Sequence, residues 1–140
     1  MHFRGLVYRA HDPRWNWAPT SGYGARRYGG RFNRVGVPTL YTSLSPITAL
    51  REVSPAGRPL QPITLCAYEV DAKPVFDALD PAQREAQKVA EADILCPNWE
   101  QEMLAGAVPA SQSVVSNSRL QSTGTFTPLS PNGEFHLPVM

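Results

Sequence analysis

A run of short, sharply punctuated motifs between residues 29 and 52 constrains this chain more than any other feature. The motifs are Gly29-Gly30-Arg31-Phe32-Asn33, then Leu40-Tyr41, then Ala49-Leu50-Arg51-Glu52. Each motif falls on a different local element, so an arginine, a tyrosine and a carboxylate can converge without long-range assembly. An arginine fork is suited to phosphate or carboxylate oxygens. The run therefore predicts a binding site for an anionic ligand.

The residues between these motifs predict their local structure. Gly29 and Gly30 allow a positive φ and a close backbone approach, so the turn before the arginine can press against a ligand or a second strand. The stretch from Thr39 to Thr42 has the pattern of a brief strand. In a strand, Leu40 and Tyr41 must face opposite ways. If Leu40 faces the core, Tyr41 faces the site.

A helix is predicted to follow this strand. Ser45 suits the N-cap and Pro46 suits the first helical position. The apolar positions of the helix, which predict a stripe packed on the core, are Ile47, Leu50 and Val53. Glu52 falls beside that stripe and is free to face a ligand.

Charge is distributed unevenly along the chain. Residues 1 to 60 contain nine arginines against Asp12 and Glu52, whereas the remainder contains four basic and ten acidic residues. The first half therefore presents a positive potential to an anion, and the acidic second half argues against a broad nucleic-acid surface. Arg26, Arg27 and Arg34 also fit the role of solvated loop charges.

The second half has a mixed pattern of strands and helices. The run Ile63 to Val70 predicts a strand covered on both faces, and Asp80 predicts the start of a helix continuing from Ala82 to Ala92. Asn98 predicts a further helix that stops near Gly106. Because strands and helices do not alternate regularly, the sequence predicts an α+β fold with a compact mixed β core and flanking helices.

Composition narrows the class of protein. A chain of 140 residues can bury one core. It shows no long apolar run and no leader of the secretory type, which predicts a cytoplasmic protein without a membrane span. Cys66 and Cys96 do not form a Cys-x-x-Cys pair, so the sequence predicts no metal site and favours two free thiols, with a disulfide as the alternative.

The motif run, together with Leu6-Val7-Tyr8-Arg9, resembles the RES domain family, the toxin half of a class of bacterial toxin–antitoxin pairs. The resemblance is strongest from Phe3 to Val53 and continues through Trp99 and Val108-Pro109-Ala110-Ser111. It implies a fold like that of ADP-ribosyltransferases and destruction of cellular NAD. It also implies a helix-turn-helix (Xre-type) antitoxin as the partner protein, with no membrane and no direct nucleic-acid contact.

The resemblance also implies roles for individual residues. Cleaving the bond between nicotinamide and ribose needs stabilisation of an oxocarbenium-like ribose, which Glu52 is placed to provide. Arg31, helped by Arg9, would bind the pyrophosphate, and Tyr41 would stack on the nicotinamide ribose or hydrogen-bond to it. The predicted catalytic residues are Glu52, Arg31 and Tyr41. The predicted NAD-binding residues are Arg9, Arg31, Tyr41, Gly30 and Asn33. NAD is a substrate in this interpretation, and neither a cofactor nor a metal is expected.

The C-terminus departs from the family pattern. A typical relative continues with a helix, a strand bearing a serine that completes the site, and a closing strand, whereas residues 113 to 140 are rich in Ser, Thr, Pro and Gly. Ser130, in the run Pro128-Leu129-Ser130-Pro131, is the nearest candidate for that serine, although prolines do not suit a central strand. We therefore divide the chain into a RES-like domain at 1–112 and an atypical segment at 113–140, which could be the incomplete end of the same domain.

Several alternatives stay open from the sequence alone. The acceptor of the ribosyl group could be water, phosphate or a macromolecule, which correspond to a glycohydrolase, a phosphorylase-like enzyme or an ADP-ribosyltransferase. The chain could also be a catalytically inactive RES-like binding module. Tyr41 also fits a half-buried strand position, and Glu52 a solvated helix carboxylate. Trp15, Trp17 and Tyr23 either cover a ring of the ligand or pack under a long loop.

Overall fold

The computed structural model describes residues 1–53, 62–117, 122–128 and 135–139, with side chains described in 1–53 and 62–114. Within these residues the fold is an antiparallel sheet flanked by short helices, which confirms the mixed α and β class. The strands, in sheet order β1-β2-β3-β4, are β1 Phe3–His11, β2 Thr64–Lys73, β3 Ser122–Pro128 and β4 Phe135–Val139. The helices are α1 Tyr23–Tyr28, α2 Pro46–Val53, α3 Pro81–Gln87, α4 Glu91–Leu95, α5 Trp99–Leu104 and α6 Ala110–Asn117, with a 3-10 turn at Pro13–Trp15.

The core lies on one face of β1 and β2. Val7, Tyr68, Val70 and Ala72 are its buried residues, and the partly buried Leu40 packs against them. The prediction that β2 is covered on both faces is wrong. Its side chains alternate between buried and exposed, because successive residues of a strand point to opposite faces and the outer face carries exposed charged residues, Glu69, Asp71 and Lys73.

The segment that precedes α2 runs along the free edge of β1. The strand predicted over Thr39 to Thr42 does not form, and pairing is limited to Ser43, whose backbone exchanges two hydrogen bonds with Tyr8 (2.7 and 2.8 Å). Even so, the segment carries Leu40 against the core and brings Tyr41 to the opposite side. The alternation was predicted correctly although the strand was not.

Helix α2 begins at Pro46 as predicted, but its apolar stripe does not pack on the core. Ile47, Leu50 and Val53 are 61%, 38% and 41% exposed, whereas Ala49 is 3% exposed. The helix packs against β1. The contact is made through Ala49, because an alanine side chain is small enough to let a helix lie close to its neighbour.

The helices of the second half begin at the predicted positions, but one of them ends earlier than predicted. Asp80 accepts a hydrogen bond from the Ala82 backbone N–H (2.9 Å) and starts α3 as predicted. The single helix predicted over Ala82 to Ala92 is wrong, because the chain adopts a left-handed conformation at Lys88 (φ 56°) and restarts as α4. Helix α5 follows Asn98 and ends before Gly106, also left-handed (φ 78°), as predicted.

Regular structure continues beyond residue 112. Helix α6 extends to Asn117, β3 pairs with β2, and β4 pairs with β3. The C-terminal segment therefore supplies two strands of the sheet, which its composition did not predict. Ser130 lies outside the described residues, and the boundary at residue 112 stays a prediction. No helix in the described part of the chain has the length and apolar character that a membrane crossing requires.

Candidate functional site

A cleft of about 540 Å³ opens between β1, the glycine-rich loop after α1, α2 and the start of α5. Its walls include five of the six predicted site residues, namely Arg9, Gly30, Arg31, Tyr41 and Glu52. The other lining residues are Tyr8, Ala10, Phe32, Thr42, Ser43, Ala49, Val53 and Trp99. Residues that are 43 positions apart in sequence, from Arg9 to Glu52, thus share one concave surface.

The glycine-rich loop needs its glycines for close packing. Gly29 has φ 73°, a conformation that side-chain-bearing residues rarely adopt. A Cβ on Gly30 would lie 2.8 Å from the Tyr41 hydroxyl oxygen and 2.9 Å from Asn33 Oδ1. Gly30 also pairs with Asn33 through the backbone. The glycines therefore let the loop fold tightly around the tyrosine.

Asn33 fastens this loop from behind the cleft wall. It is 2% exposed, and its Nδ2 donates to the backbone carbonyls of Ala25, Arg34 and Val37 at 2.9, 3.1 and 3.0 Å. Its Oδ1 accepts a hydrogen bond from the Tyr41 hydroxyl at 2.7 Å. The structure thus places Asn33 behind Tyr41 and not on the cleft surface with the other predicted residues.

The Tyr41 hydroxyl is engaged within the protein. Besides donating to Asn33, it accepts a hydrogen bond from the Phe32 backbone N–H at 3.0 Å. Burial raises the pKa of Tyr41, and the hydrogen bonds from the Phe32 and Asn33 region partly oppose that rise. The hydroxyl therefore holds the loop in place, and the ring is the part of this side chain that is left to meet a ligand.

Arg31 connects the loop to α4. Its Nη2 donates to the carbonyl oxygens of Ile94 (3.0 Å) and Leu95 at the C-terminal end of that helix, where a positive charge is favoured by the helix dipole. The guanidinium lies 5.3 Å from the centre of the Phe32 ring. Its Nε is buried and has no hydrogen-bond partner among the described residues. Arg31 thus has a structural role and, among the described residues, a buried donor without a partner.

Arg9 enters the same cleft from β1. Its Nη1 is also buried without a hydrogen-bond partner in the described part of the chain. Burial lowers the pKa of Arg9, while nearby Tyr68 and Cys66 oppose that change when they are ionised. A buried arginine donor without an acceptor is costly, because the charged group has lost water and gained no replacement.

Glu52 faces the cleft from α2. In the part of the chain that the structure describes, its carboxylate has no hydrogen-bond or ion-pair partner. The charged residues on the cleft walls are thus Arg9, Arg31 and Glu52. Two cations and one carboxylate favour an anionic ligand that also carries a positive centre or a hydroxyl group.

Three residues that the sequence analysis did not assign to the site shape it from the second half of the chain. Trp99, the first residue of α5, lines the cleft. Ser111 Oγ donates to the Arg31 backbone carbonyl at 2.6 Å, and Gln112 Nε2 donates to that of Gly30 at 2.9 Å. For Trp99 and Ser111 the sequence did contain a signal, because both lie in stretches that resemble the RES family.

Other candidate groups do not join the cleft. Trp15 packs against Trp17 and Tyr23 with tilted rings, whose centres lie 6.4 and 5.5 Å from that of Trp15, and these three residues are not among those that line the cleft. Among the described residues, the His, Cys, Asp and Glu side chains form no group of three that could hold a metal ion.

Comparison with known proteins identifies the family of the chain. No curated protein and no solved structure is significantly similar to the chain. The family model of the RES domain matches residues 6–126, which include every residue of the cleft and strand β3 nearly to its end. The chain therefore belongs to the RES domain family.

Proposed function

We propose that this protein is a toxin that degrades NAD by cleaving its nicotinamide–ribose bond. The observation that carries the proposal is that Arg9 and Arg31 each leave a buried N–H donor without a partner, in a cleft that Glu52 also faces. Membership of the RES family supports it. The proposal includes an ADP-ribosyltransferase-like fold, action in the cytoplasm and restraint by a helix-turn-helix antitoxin.

The two arginines suit a pyrophosphate. Each unpartnered donor costs free energy in the unliganded protein, and phosphate oxygens would satisfy both donors at once. Arg31 is already held by the carbonyls at the end of α4, so it would meet the ligand with little loss of side-chain freedom. An arginine that is pre-positioned in this way contributes to affinity because less ordering is needed on binding.

Glu52 suits the bond-breaking step. Nicotinamide leaves NAD as a neutral group from a cationic one, so the transition state concentrates positive charge on the ribose. A carboxylate at the cleft wall can stabilise that charge and accept a hydrogen bond from a ribose hydroxyl. The absence of a described partner for the Glu52 carboxylate leaves it available for this role.

The aromatic residues suit the rings of the dinucleotide. Phe32, Tyr41 and Trp99 all line the cleft, and aromatic faces stack on planar heterocycles. Because its hydroxyl is bound within the protein, Tyr41 would contribute through its ring, and not by a hydrogen bond to the ribose. Asn33 would act by holding Tyr41 in place.

The test is NAD turnover by purified protein and in cells after induced expression. Glu52→Gln should reduce turnover at least 100-fold while NAD binding changes by less than threefold, since the charge is needed mainly in the transition state. Glu69→Gln is the matched control, because Glu69 is an exposed carboxylate on the outer face of β2. Equal NAD loss by the wild type and Glu52→Gln would refute the role of Glu52.

The products distinguish the alternative reactions. ADP-ribose and nicotinamide indicate water as the acceptor, and a phosphorylated ADP-ribose that forms only with added phosphate indicates a phosphorylase. Radiolabel that moves from NAD onto protein or nucleic acid indicates a transferase. Saturable NAD binding without any turnover by folded protein would contradict the enzyme and favour the binding module.

A further inference from the structure

The core-facing side of β1 and β2 carries a thiol beside an imidazole and a guanidinium. Cys66 lies directly opposite Arg9 in the sheet register, and His11 is two residues further along β1 on the same face. The Cys66 Sγ is 3.5 Å from His11 Nε2. Cys66 is partly exposed, whereas His11 is 6% exposed.

A second hydrogen bond of the His11 ring, at Nδ1, determines which of its two nitrogens carries the proton. Its Nδ1 lies 2.9 Å from the backbone carbonyl oxygen of Asp12. A carbonyl only accepts, so Nδ1 carries the proton and the Nε2 of the neutral ring presents its lone pair to the thiol. A base oriented by a third group and placed beside a nucleophile is the arrangement that activates cysteine.

Arg9 supplies the second condition for a reactive thiol, a neighbouring positive charge. Its buried Nη1 has no partner among the described residues, and a negative charge on Cys66 raises the pKa of Arg9. The attraction is mutual, so the guanidinium favours the thiolate. The other ionisable side chain on this face, Tyr68, stays protonated because burial, and after it the hydrogen bond with Cys66, raise its pKa.

We propose that Cys66 is a modification site, a thiol activated by His11 and Arg9 that reacts with hydroperoxides and small electrophiles. With hydrogen peroxide, His11 Nε2 takes the thiol proton, and the thiolate sulfur attacks one peroxide oxygen. The S–O bond forms and the O–O bond breaks, so cysteine is oxidised to sulfenic acid. The departing hydroxide takes the proton from His11 and leaves as water.

Modification of Cys66 is expected to affect ligand binding in the cleft, an expectation that rests on the proposed function. Arg9 reaches from this group of side chains to the cleft wall. An oxygen or alkyl group on the Cys66 sulfur would compete for the free donor of Arg9 or displace its side chain. We therefore expect oxidation of Cys66 to weaken NAD binding.

The first test measures alkylation of both cysteines in the full chain. Native protein is treated with limiting iodoacetamide, and peptides are quantified by mass spectrometry over time. Cys96, which is free and 6% exposed, is the internal control. Cys66 should react more than tenfold faster than Cys96. Comparable alkylation rates for the two thiols would overturn the proposal, and this test needs no variant protein.

The second test removes the base. His11→Gln keeps a polar group near the thiol but cannot take its proton, so it should slow alkylation of Cys66 about threefold or more at neutral pH. Cys96 reports on folding, because a loosened variant would expose it. An unchanged Cys66 rate with Cys96 still protected would overturn the role of His11.

The third test uses hydrogen peroxide followed by dimedone, which labels sulfenic acid. The label should appear on Cys66 and not on Cys96, and a label on neither would contradict the reaction. This readout does not depend on NAD, so it separates failure of this proposal from failure of the proposed function. If the protein degrades NAD, peroxide should lower turnover of the wild type but not of Cys66→Ser, and equal inhibition of both would contradict the link to Arg9.

Discussion

Removing a single oxygen atom from Tyr41 tests how the cleft is held together. In Tyr41→Phe the ring remains, but Asn33 Oδ1 loses a donor at 2.7 Å and the Phe32 backbone N–H loses an acceptor at 3.0 Å. Asn33 is 2% exposed, so its oxygen cannot turn to water instead. The variant therefore leaves a buried acceptor without a partner.

The expected loss in the free energy of unfolding follows from these two contacts. An unsatisfied buried polar group costs about 1–3 kcal/mol, and the hydrogen bond to the more exposed Phe32 N–H adds about 0.5–1 kcal/mol. We expect the free energy of unfolding to fall by about 2–3 kcal/mol, a large part of the ~5–15 kcal/mol typical of a domain. For a chain of this length, about 3 °C per kcal/mol converts this to a fall of about 6–9 °C in melting temperature.

Urea unfolding followed by tryptophan fluorescence measures the change. Tyr28→Phe is the matched control, because Tyr28 is 66% exposed and its hydroxyl can bond to water, so a change within about 0.5 kcal/mol is expected. If Tyr41→Phe also stays within that range, the Asn33–Tyr41 hydrogen bond does not hold the loop, and Tyr41 has no positioning role.

The pH dependence of stability provides an independent check of the same hydroxyl. Burial raises the pKa of Tyr41 above the unfolded value of 10.0, so its contribution is fully present below pH 10 and is lost as pH rises toward the folded pKa. Unfolding free energy should therefore decline above pH 10. The decline should be shallower in Tyr41→Phe but not absent, since Tyr68 also has a raised pKa. Identical slopes for the two proteins would contradict the burial of Tyr41.

Three further substitutions probe the surroundings of the cleft by thermal or urea unfolding. Gly24→Ala should stabilise by about 0.5–1 kcal/mol, because a Cβ there meets nothing within 4 Å and alanine favours α1. Gly29→Ala should destabilise by about 1–2 kcal/mol or more, since φ is 73° and its Cβ would lie 2.8 Å from Met103 Cε; a stabilised variant would contradict that geometry. Ser111→Ala should cost about 1–3 kcal/mol, because the buried hydroxyl donates to the Arg31 carbonyl at 2.6 Å, and no loss would exclude this contact as a support of the loop.

The positions of the cleft residues could be predicted because their constraints are local. Gly29 needs a left-handed conformation, and Leu40 and Tyr41 lie on opposite sides of an extended segment. Pro46 is the first residue of α2, where proline suits the first turn of a helix. Each of these features depends on a few neighbouring residues, so the order of the motifs already brings Arg31, Tyr41 and Glu52 to one surface.

What the sequence could not show depends on partners far along the chain. The apolar residues of α2 suggested a buried stripe, but the space beside β1 admits only Ala49 closely. Strand β3, whose sequence is Ser-Thr-Gly-Thr-Phe-Thr-Pro, lacks hydrophobic alternation and forms by backbone pairing with β2. The two carbonyls that hold Arg31 belong to α4, more than 60 residues away.

These long-range contacts change how variants of the two arginines should be interpreted. Arg31→Ala removes a ligand donor and also the link between the loop and α4, so a loss of NAD binding in that variant would have two explanations. Arg31→Lys does not separate them, because lysine cannot reproduce the fork. Arg9 has an unpartnered buried Nη1 and no described bond to another element. Arg9→Gln, with unfolding measured in parallel, therefore separates the effect of charge in the cleft from an effect on folding. Weaker NAD binding at unchanged stability would show that Arg9 contacts the ligand. Unchanged binding would mean that Arg31 alone binds the anionic part of the ligand.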